Sequence, residues 1–148
     1  MGQPVEQRVT APTPEDLDRL RAQRAVIEQF IDESSLERYA TSAGKLGAIR
    51  ALLDAEVFRP DQTYELQCLG IVLGDALAQE LGMEWVTVED AHGRDPAVQV
   101  PNTTIILFPL TMISKRVERG EKVDVFDLFN GLSAQVERLR KGGDSSIN

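Results

Sequence analysis

The chain has 148 residues, of which 42% are hydrophobic and 27% are charged, and this composition is typical of one globular domain. Sixteen lysines and arginines stand against 24 aspartates and glutamates, and the net charge of −8 argues against binding to nucleic acid. No run reaches the ~18 apolar residues that a membrane span needs, and the N-terminal residues predict no secretory signal. We therefore expect a cytoplasmic protein without membrane attachment.

The N-terminal residues predict an arm followed by a helix. Residues 1–12 contain a polar stretch and two prolines, which is typical of a flexible segment. Thr13 is a good N-cap and Pro14 fits the first helical position, so a helix is predicted to begin there. We expect a single domain over residues 13–141 and a frayed tail over residues 142–148.

Two further helices are predicted in the first half of the chain. Apolar residues at helical spacing predict a short helix over residues 45–54. Pro60 breaks the chain, and a longer helix is predicted over residues 62–81. Gly82 is expected to end this helix in the left-handed conformation that its C-terminus requires.

Gly70 and Gly74 stand one turn apart in the long predicted helix. Each glycine costs a helix about 1 kcal/mol relative to alanine. Their spacing therefore predicts that a backbone segment or a large aromatic ring packs closely against this ridge.

The pattern changes from helical to alternating after the long helix. Three strands are predicted over residues 83–89, 97–100 and 103–108, with a turn over residues 91–96 between the first two. The run 104–108 is almost entirely apolar, so we expect it to form the central or most covered strand of an antiparallel meander.

Two helices are predicted in the C-terminal part of the chain. Thr111 begins a short helix that ends at Gly120, and Asp124 caps the last helix. The complete prediction is an α+β fold with a helical N-terminal half, a three-stranded antiparallel meander, and two C-terminal helices packed on one face of the sheet.

The order of features over residues 64–132 resembles a bacterial domain family of unknown function. The features that carry the resemblance are Leu69-Gly70-Ile71-Val72-Leu73-Gly74, Gly82, Glu84-Trp85, Asp90, Phe108-Pro109, Lys115-Arg116 and Glu118. The resemblance implies a bacterial origin and one contiguous module. It implies no catalytic residue, cofactor or partner.

The sequence lacks the residues of common active sites. His92 is the only histidine and Cys68 the only cysteine, so one chain cannot assemble a zinc site from nitrogen and sulfur ligands. Cys68 lies in an apolar helical pattern and is expected to be buried. Leu46 follows Gly44-Lys45 where a phosphate-binding loop needs serine or threonine. We expect no metal and no cofactor, and the sequence favours a protein that is not an enzyme.

Five residues near the end of the predicted sheet form the candidate site: Trp85, Asp90, His92, Lys115 and Arg116. Trp85 is expected to anchor the core with its indole N–H satisfied. Lys115 and Arg116 are expected to pair with Asp90 or Glu84 across the end of the sheet. Such pairs are either structural or line a site for an anionic ligand or an acidic partner segment.

Two functions fit these observations. The favoured one is a non-enzymatic, acidic protein-binding module, of adaptor or immunity type, that covers a basic partner protein, because the charge is −8 and no catalytic constellation is visible. The alternative is a small-molecule-binding protein or an enzyme with a site near Trp85, Asp90, Lys115 and Arg116.

Overall fold

The computed structural model describes residues 7–147, and the side chains of residues 7–142. The described chain is an α+β fold, as predicted. Its elements are β1 (Arg8–Thr10), α1 (Pro14–Glu28), a 3₁₀ turn (Glu33–Ser35), α2 (Leu36–Tyr39), α3 (Ser42–Asp54), α4 (Thr63–Leu81), β2 (Glu84–Asp90), β3 (Gly93–Gln99), β4 (Ile106–Leu107), a second 3₁₀ turn (Pro109–Thr111), α5 (Met112–Glu118) and α6 (Val125–Ile147).

The strand β1 lies within the segment that the sequence predicts to be a flexible arm. It pairs antiparallel with β2, with Val9 opposite Val88, so the sheet has four strands in the order β1-β2-β3-β4 rather than three. A three-residue strand carries too little alternation to be distinguished from a polar arm. Residues 1–6 of the predicted arm and residue 148 of the predicted tail lie outside the described residues.

The apolar run before Pro109 was expected to be the central or most covered strand, and this prediction is wrong. It contributes only β4, a two-residue strand at the edge of the sheet that pairs with β3. Asn102, with a φ of 64°, turns the chain after β3, and Pro109 begins the second 3₁₀ turn, so little chain is left to pair. The run is apolar because Leu107 is buried against the core and Ile105 packs beside it.

The strand β3 is longer than predicted and includes Pro96. It pairs with β2 along seven residues, from Glu84 opposite Gln99 to Asp90 opposite Gly93, which leaves a two-residue hairpin loop. Proline is tolerated in β3 because β4 pairs only with Val98 and Gln99, so no strand lies on the outer edge beside Pro96.

The start of α1 is fixed by a capping box and by a bond to the sheet. Thr13 and Asp16 exchange side-chain bonds with each other's backbone N–H, at 2.9 and 3.1 Å. The same Asp16 carboxylate accepts hydrogen bonds from Thr87 Oγ1 at 2.9 Å and Arg94 Nη2 at 2.6 Å. Asp16 thus links the helix to β2 and β3.

Burial alone would raise the pKa of Asp16, but the hydrogen bonds from Thr13 and Thr87 and the Arg94 charge outweigh it and lower that pKa from 3.8 to about 2. The ionised carboxylate therefore stabilises the fold above pH 3.8, and this contribution is lost as the pH falls towards 2. The shift is worth about 2 kcal/mol.

We expect the stability difference between wild type and Asp16→Asn to shrink by about 2 kcal/mol between about pH 5 and about pH 2, as measured by urea unfolding at each pH. Asp18→Asn is the control, because Asp18 is 72% exposed in its pair with Arg21. Its effect should stay below about 0.5 kcal/mol at both values. A pH-independent difference for Asp16→Asn would contradict this assignment.

The helix α4 is the centre of the fold, as predicted. Its apolar residues form most of the core together with Ile27, Ile49, Val98 and Ile113. Gly82 ends the helix with a φ of 66°, which confirms the predicted left-handed stop. The helices α1, α3 and α5 all pack on α4, and α6 packs on α3 and α4.

The Gly70–Gly74 ridge of α4 is closely packed, which confirms the prediction. A Cβ built on Gly70 would lie 2.5 Å from the Pro109 carbonyl oxygen, in the second 3₁₀ turn. A Cβ on Gly74 would lie 2.6 Å from Trp85 Cζ2. One glycine thus meets a backbone and the other an aromatic ring.

Candidate functional site

Trp85 lies at the start of β2, half-buried against the core beside α4. Its indole N–H donates to Asp75 Oδ1 at 2.8 Å, so the predicted satisfied indole is present. Arg24 of α1 donates from Nε and Nη2 to the same carboxylate at 2.7 and 2.9 Å. Asp75 therefore joins α1, α4 and the sheet in one planar, bidentate arrangement.

The other four predicted site residues lie elsewhere. Asp90 ends β2, about 16 Å along the strand from Trp85, and its Oδ1 accepts from the exposed His92 backbone N–H at 2.8 Å. Lys115 and Arg116 lie on α5, where Arg116 Nη1 donates to the Met112 carbonyl oxygen at 2.8 Å.

The ion pairs of the described residues include none between Lys115 or Arg116 and Asp90 or Glu84. The structure therefore does not bring the five predicted residues together. Sequence reasoning missed Arg24 and Asp75, although an aspartate inside the apolar α4 is itself a signal that a partner is needed.

Trp85 and the Arg24–Asp75 pair line a groove of about 600 Å³, here called the polar groove. Lys45 also lines it, and its ammonium donates to the Tyr39 and Ala40 carbonyl oxygens, both at 3.1 Å, and to Gln79 Oε1 at 2.9 Å. The bonds to Tyr39 and Ala40 satisfy carbonyl groups at the C-terminus of α2 and so cap this helix.

Burial shifts the pKa values of two side chains in the polar groove. Burial lowers the pKa of Lys45 and, with Glu28 and Asp75, raises the pKa of Tyr39 to about 12. The Tyr39 phenol, whose residue lines the groove, is therefore neutral at ordinary pH. The Lys45 ammonium already donates to three acceptors, and Arg24 is paired with Asp75. The main role of these polar side chains is therefore to hold the helices together.

A larger groove of about 760 Å³ lies between the C-terminal ends of α3 and α5, and we call it the α3–α5 groove. Apolar and charged side chains both line it: Leu52, Leu53, Phe58, Pro60, Leu66, Val117 and Val123 on one hand, and Asp54, Glu56, Arg59, Glu121 and Lys122 on the other. Leu66 is buried while the charged residues are exposed, so the groove has an apolar floor and a charged rim.

An aromatic pair stands beside the α3–α5 groove. Phe58 lines that groove, and its ring meets the ring of Phe30 edge to face, with centroids 5.5 Å apart. Phe30 is 42% exposed and lines a neighbouring groove of about 430 Å³ along α3, whose wall is made of small residues such as Ala43, Gly47 and Ala51. The apolar surface around α3 is therefore extensive.

Other kinds of site receive no support in the described part of the chain. No group of three or more histidine, cysteine, aspartate or glutamate side chains among residues 7–142 is placed to hold a metal ion. Cys68 is buried as expected, and this burial raises the pKa of its thiol to about 11. No helix within residues 7–147 is long and apolar enough to cross a membrane.

Residues 45–129, more than half of the chain, match the family model described as "Domain of unknown function (DUF3806)". The chain belongs to this family. The match confirms the resemblance to an uncharacterised domain family over residues 64–129 and extends it towards the N-terminus, into α3.

Structural comparison supports the fold of this DUF3806 protein. A crystal structure from Bacteroides thetaiotaomicron VPI-5482 is similar, with a TM-score of 0.68 and 16% identity, over 88% of this chain and 48% of that one. The likeness shows a shared fold, and the chain spans about half the length of that protein. No curated protein matches the sequence.

Of the two grooves, only the α3–α5 groove lies entirely inside the segment that matches DUF3806. All residues that line the α3–α5 groove fall between Leu52 and Val123, inside the matched segment. The polar groove takes Arg24, Glu28 and Tyr39 from helices that precede the match. The α3–α5 groove is thus built entirely from the family's own segment.

Proposed function

We propose that this DUF3806 protein is a non-enzymatic protein-binding module, of adaptor or immunity type, whose α3–α5 groove takes an apolar, basic segment of a partner protein. The observation that carries the proposal is the groove of about 760 Å³ with an apolar floor and a charged rim. Such a surface fits side chains that combine an apolar stem with a charged end.

The charges around the α3–α5 groove favour a basic partner. Three acidic side chains, Asp54, Glu56 and Glu121, line it against Arg59 and Lys122, in a chain whose net charge is −8. Complementary charge at a rim steers encounter and selects partners, while the apolar floor contributes most of the affinity.

A display library of random peptides of about 12 residues tests this function with the wild-type protein as bait. We expect the recovered peptides to bind in the α3–α5 groove, so that they shift the amide NMR signals of residues 52–58 and 117–123. Their affinity should fall as salt rises from about 0.05 to about 0.5 M, because exposed rim charges are screened.

A pair of variants separates the groove from general surface charge. Leu53→Lys places a positive charge on the apolar floor and is expected to weaken peptide binding at least about tenfold. Leu139→Lys adds the same charge on the 43% exposed Leu139 of α6, outside the groove, and should bind like wild type. The melting curves of both variants are measured as well, to check that each variant folds. Peptides that bind Leu53→Lys normally and shift signals elsewhere would contradict the proposal.

The polar groove supports a second candidate, a small-molecule site at Trp85. Its volume of about 600 Å³ lies within the range of ligand pockets, and Trp85 is the only tryptophan in the chain. Saturable changes in tryptophan fluorescence across a panel of small amines and carboxylic acids would support it. A panel without any saturable change would count against it.

A further inference from the structure

Glu56 ends α3 in a backbone conformation that residues with a side chain rarely adopt, with a φ of 50°. Its amide donates to the Leu53 carbonyl oxygen at 3.1 Å, and the Val57 amide donates to the Leu52 carbonyl oxygen at 3.2 Å. These two bonds define the Schellman motif, whose left-handed position is usually glycine. A glutamate there destabilises the helix end.

The other helix beside the groove ends in the same motif with the usual residue. Gly120 follows α5 with a φ of 78°, and its amide donates to the Val117 carbonyl oxygen at 2.9 Å. The Glu121 amide completes the motif with a bond to the Arg116 carbonyl oxygen at 2.9 Å. Two equivalent helix ends therefore face the groove, and Glu56 departs from the residue that the backbone favours.

The Glu56 side chain is exposed, lines the α3–α5 groove, and has no ion-pair or hydrogen-bond partner for its carboxylate among residues 7–142. The other acids of the lining differ, since Asp54 lies 3.8 Å from Arg50 and Glu121 lies 2.9 Å from Arg119. Glu56 also follows the C-terminus of α3, where the helix dipole adds negative potential. Glu56 is therefore an acidic side chain of the lining whose carboxylate is unpaired within the described part of the chain, and it lies where the helix dipole also favours a cation.

We infer that Glu56 is the specificity-determining residue of the groove, and that its carboxylate binds the ammonium or guanidinium group of a lysine or arginine in the partner. The aliphatic stem of that side chain would lie on the apolar floor formed by Leu53 and Phe58. This inference rests on the proposed protein-binding function. A glycine would relieve the backbone strain but lose the carboxylate, so stability and binding oppose each other at this position.

Three variants test the inference with the library-selected peptides as probes. Glu56→Gly should raise the melting temperature by about 2–4 °C, because the left-handed position is relieved, and should weaken binding at least about tenfold. Glu56→Gln keeps the strain and removes the charge, so it should weaken binding similarly. Its melting temperature should rise by less than that of Glu56→Gly, because only the repulsion from the helix dipole is relieved. Glu37→Gln is the matched control, since it removes the same charge from the exposed Glu37 of α2, outside the groove.

The selected sequences give a second readout. Selection on wild type should enrich lysine or arginine beside apolar residues, and selection on Glu56→Gln should lose the basic residues and keep the apolar ones. Peptides that depend on Leu53 but bind Glu56→Gln as tightly as wild type would overturn the inference and leave the protein-binding function standing. If no peptide depends on Leu53, the proposed function fails, and the role of Glu56 fails with it.

Discussion

Gly70→Ala is expected to lower the free energy of unfolding by about 3 kcal/mol, at the upper end of the range for overpacking. A Cβ on Gly70 would lie 2.5 Å from the Pro109 carbonyl oxygen and 2.8 Å from the Leu110 carbonyl carbon. Since van der Waals contact needs about 3.5 Å, the backbone of the second 3₁₀ turn must move by about 1 Å. Alanine favours a helix by about 1 kcal/mol, which is too little to compensate.

The control for Gly70 is the same change at Gly47, in the middle of α3. No atom lies within 4 Å of a Cβ built on Gly47, so Gly47→Ala should stabilise the protein by about 0.5–1 kcal/mol. Urea unfolding of both variants measures the contrast. If Gly70→Ala proved as stable as Gly47→Ala, the close approach of the 3₁₀ turn to α4 would be wrong.

Asp75→Ala is expected to cost about 2–4 kcal/mol of stability. The change leaves Arg24, whose side chain is 31% exposed, without its bidentate partner, and it leaves the Trp85 N–H without an acceptor. Removing one member of a mostly desolvated ion pair costs more than the pair contributes, because an unpaired charge remains. Thermal and urea unfolding measure the effect.

Two comparisons isolate the cause of the Asp75 effect. Asp18→Ala breaks the exposed pair with Arg21, in which both side chains are more than 70% exposed, and should change stability by less than about 0.5 kcal/mol. The double variant Arg24→Leu/Asp75→Leu should be more stable than Asp75→Leu alone, because it leaves no unpaired charge. Additive losses would show that Arg24 and Asp75 act independently.

Local sequence features were sufficient to predict five of the six α-helices of the described chain and the tight ridge on α4. Thr13 and Gly82 mark helix ends through interactions within about one turn of the chain, and both act as predicted. The two glycines predicted a close neighbour because the helix stability that they cost depends only on the local chain. The identity of the neighbours, Pro109 and Trp85, followed only from the fold.

The errors in the sheet have a common physical origin. The predicted central strand before Pro109 is an edge strand, and Arg8–Thr10 is a strand instead of a flexible segment. Strand pairing depends on which edges meet after the chain has folded, and apolar content reports burial rather than position in the sheet. Ile105 and Leu107 are apolar because they pack against the helical core.

Local sequence patterns could not predict the candidate site. Asp75 meets Arg24, and Glu56 shares a groove with residues of the α5–α6 connection, in contacts between segments far apart in the chain. The left-handed backbone at Glu56 gives no sequence signal because glycine, the usual marker, is missing there.

The sequence by itself determined the start of α1, the end of α4, the α+β class, the ridge on α4 and membership of an uncharacterised domain family, because periodicity, caps and glycine costs act within a few residues. Only the tertiary structure decided the strand order, the Arg24–Asp75–Trp85 junction and the α3–α5 groove. These features arise where separate elements pack together, and their energies depend on distances that no local pattern specifies.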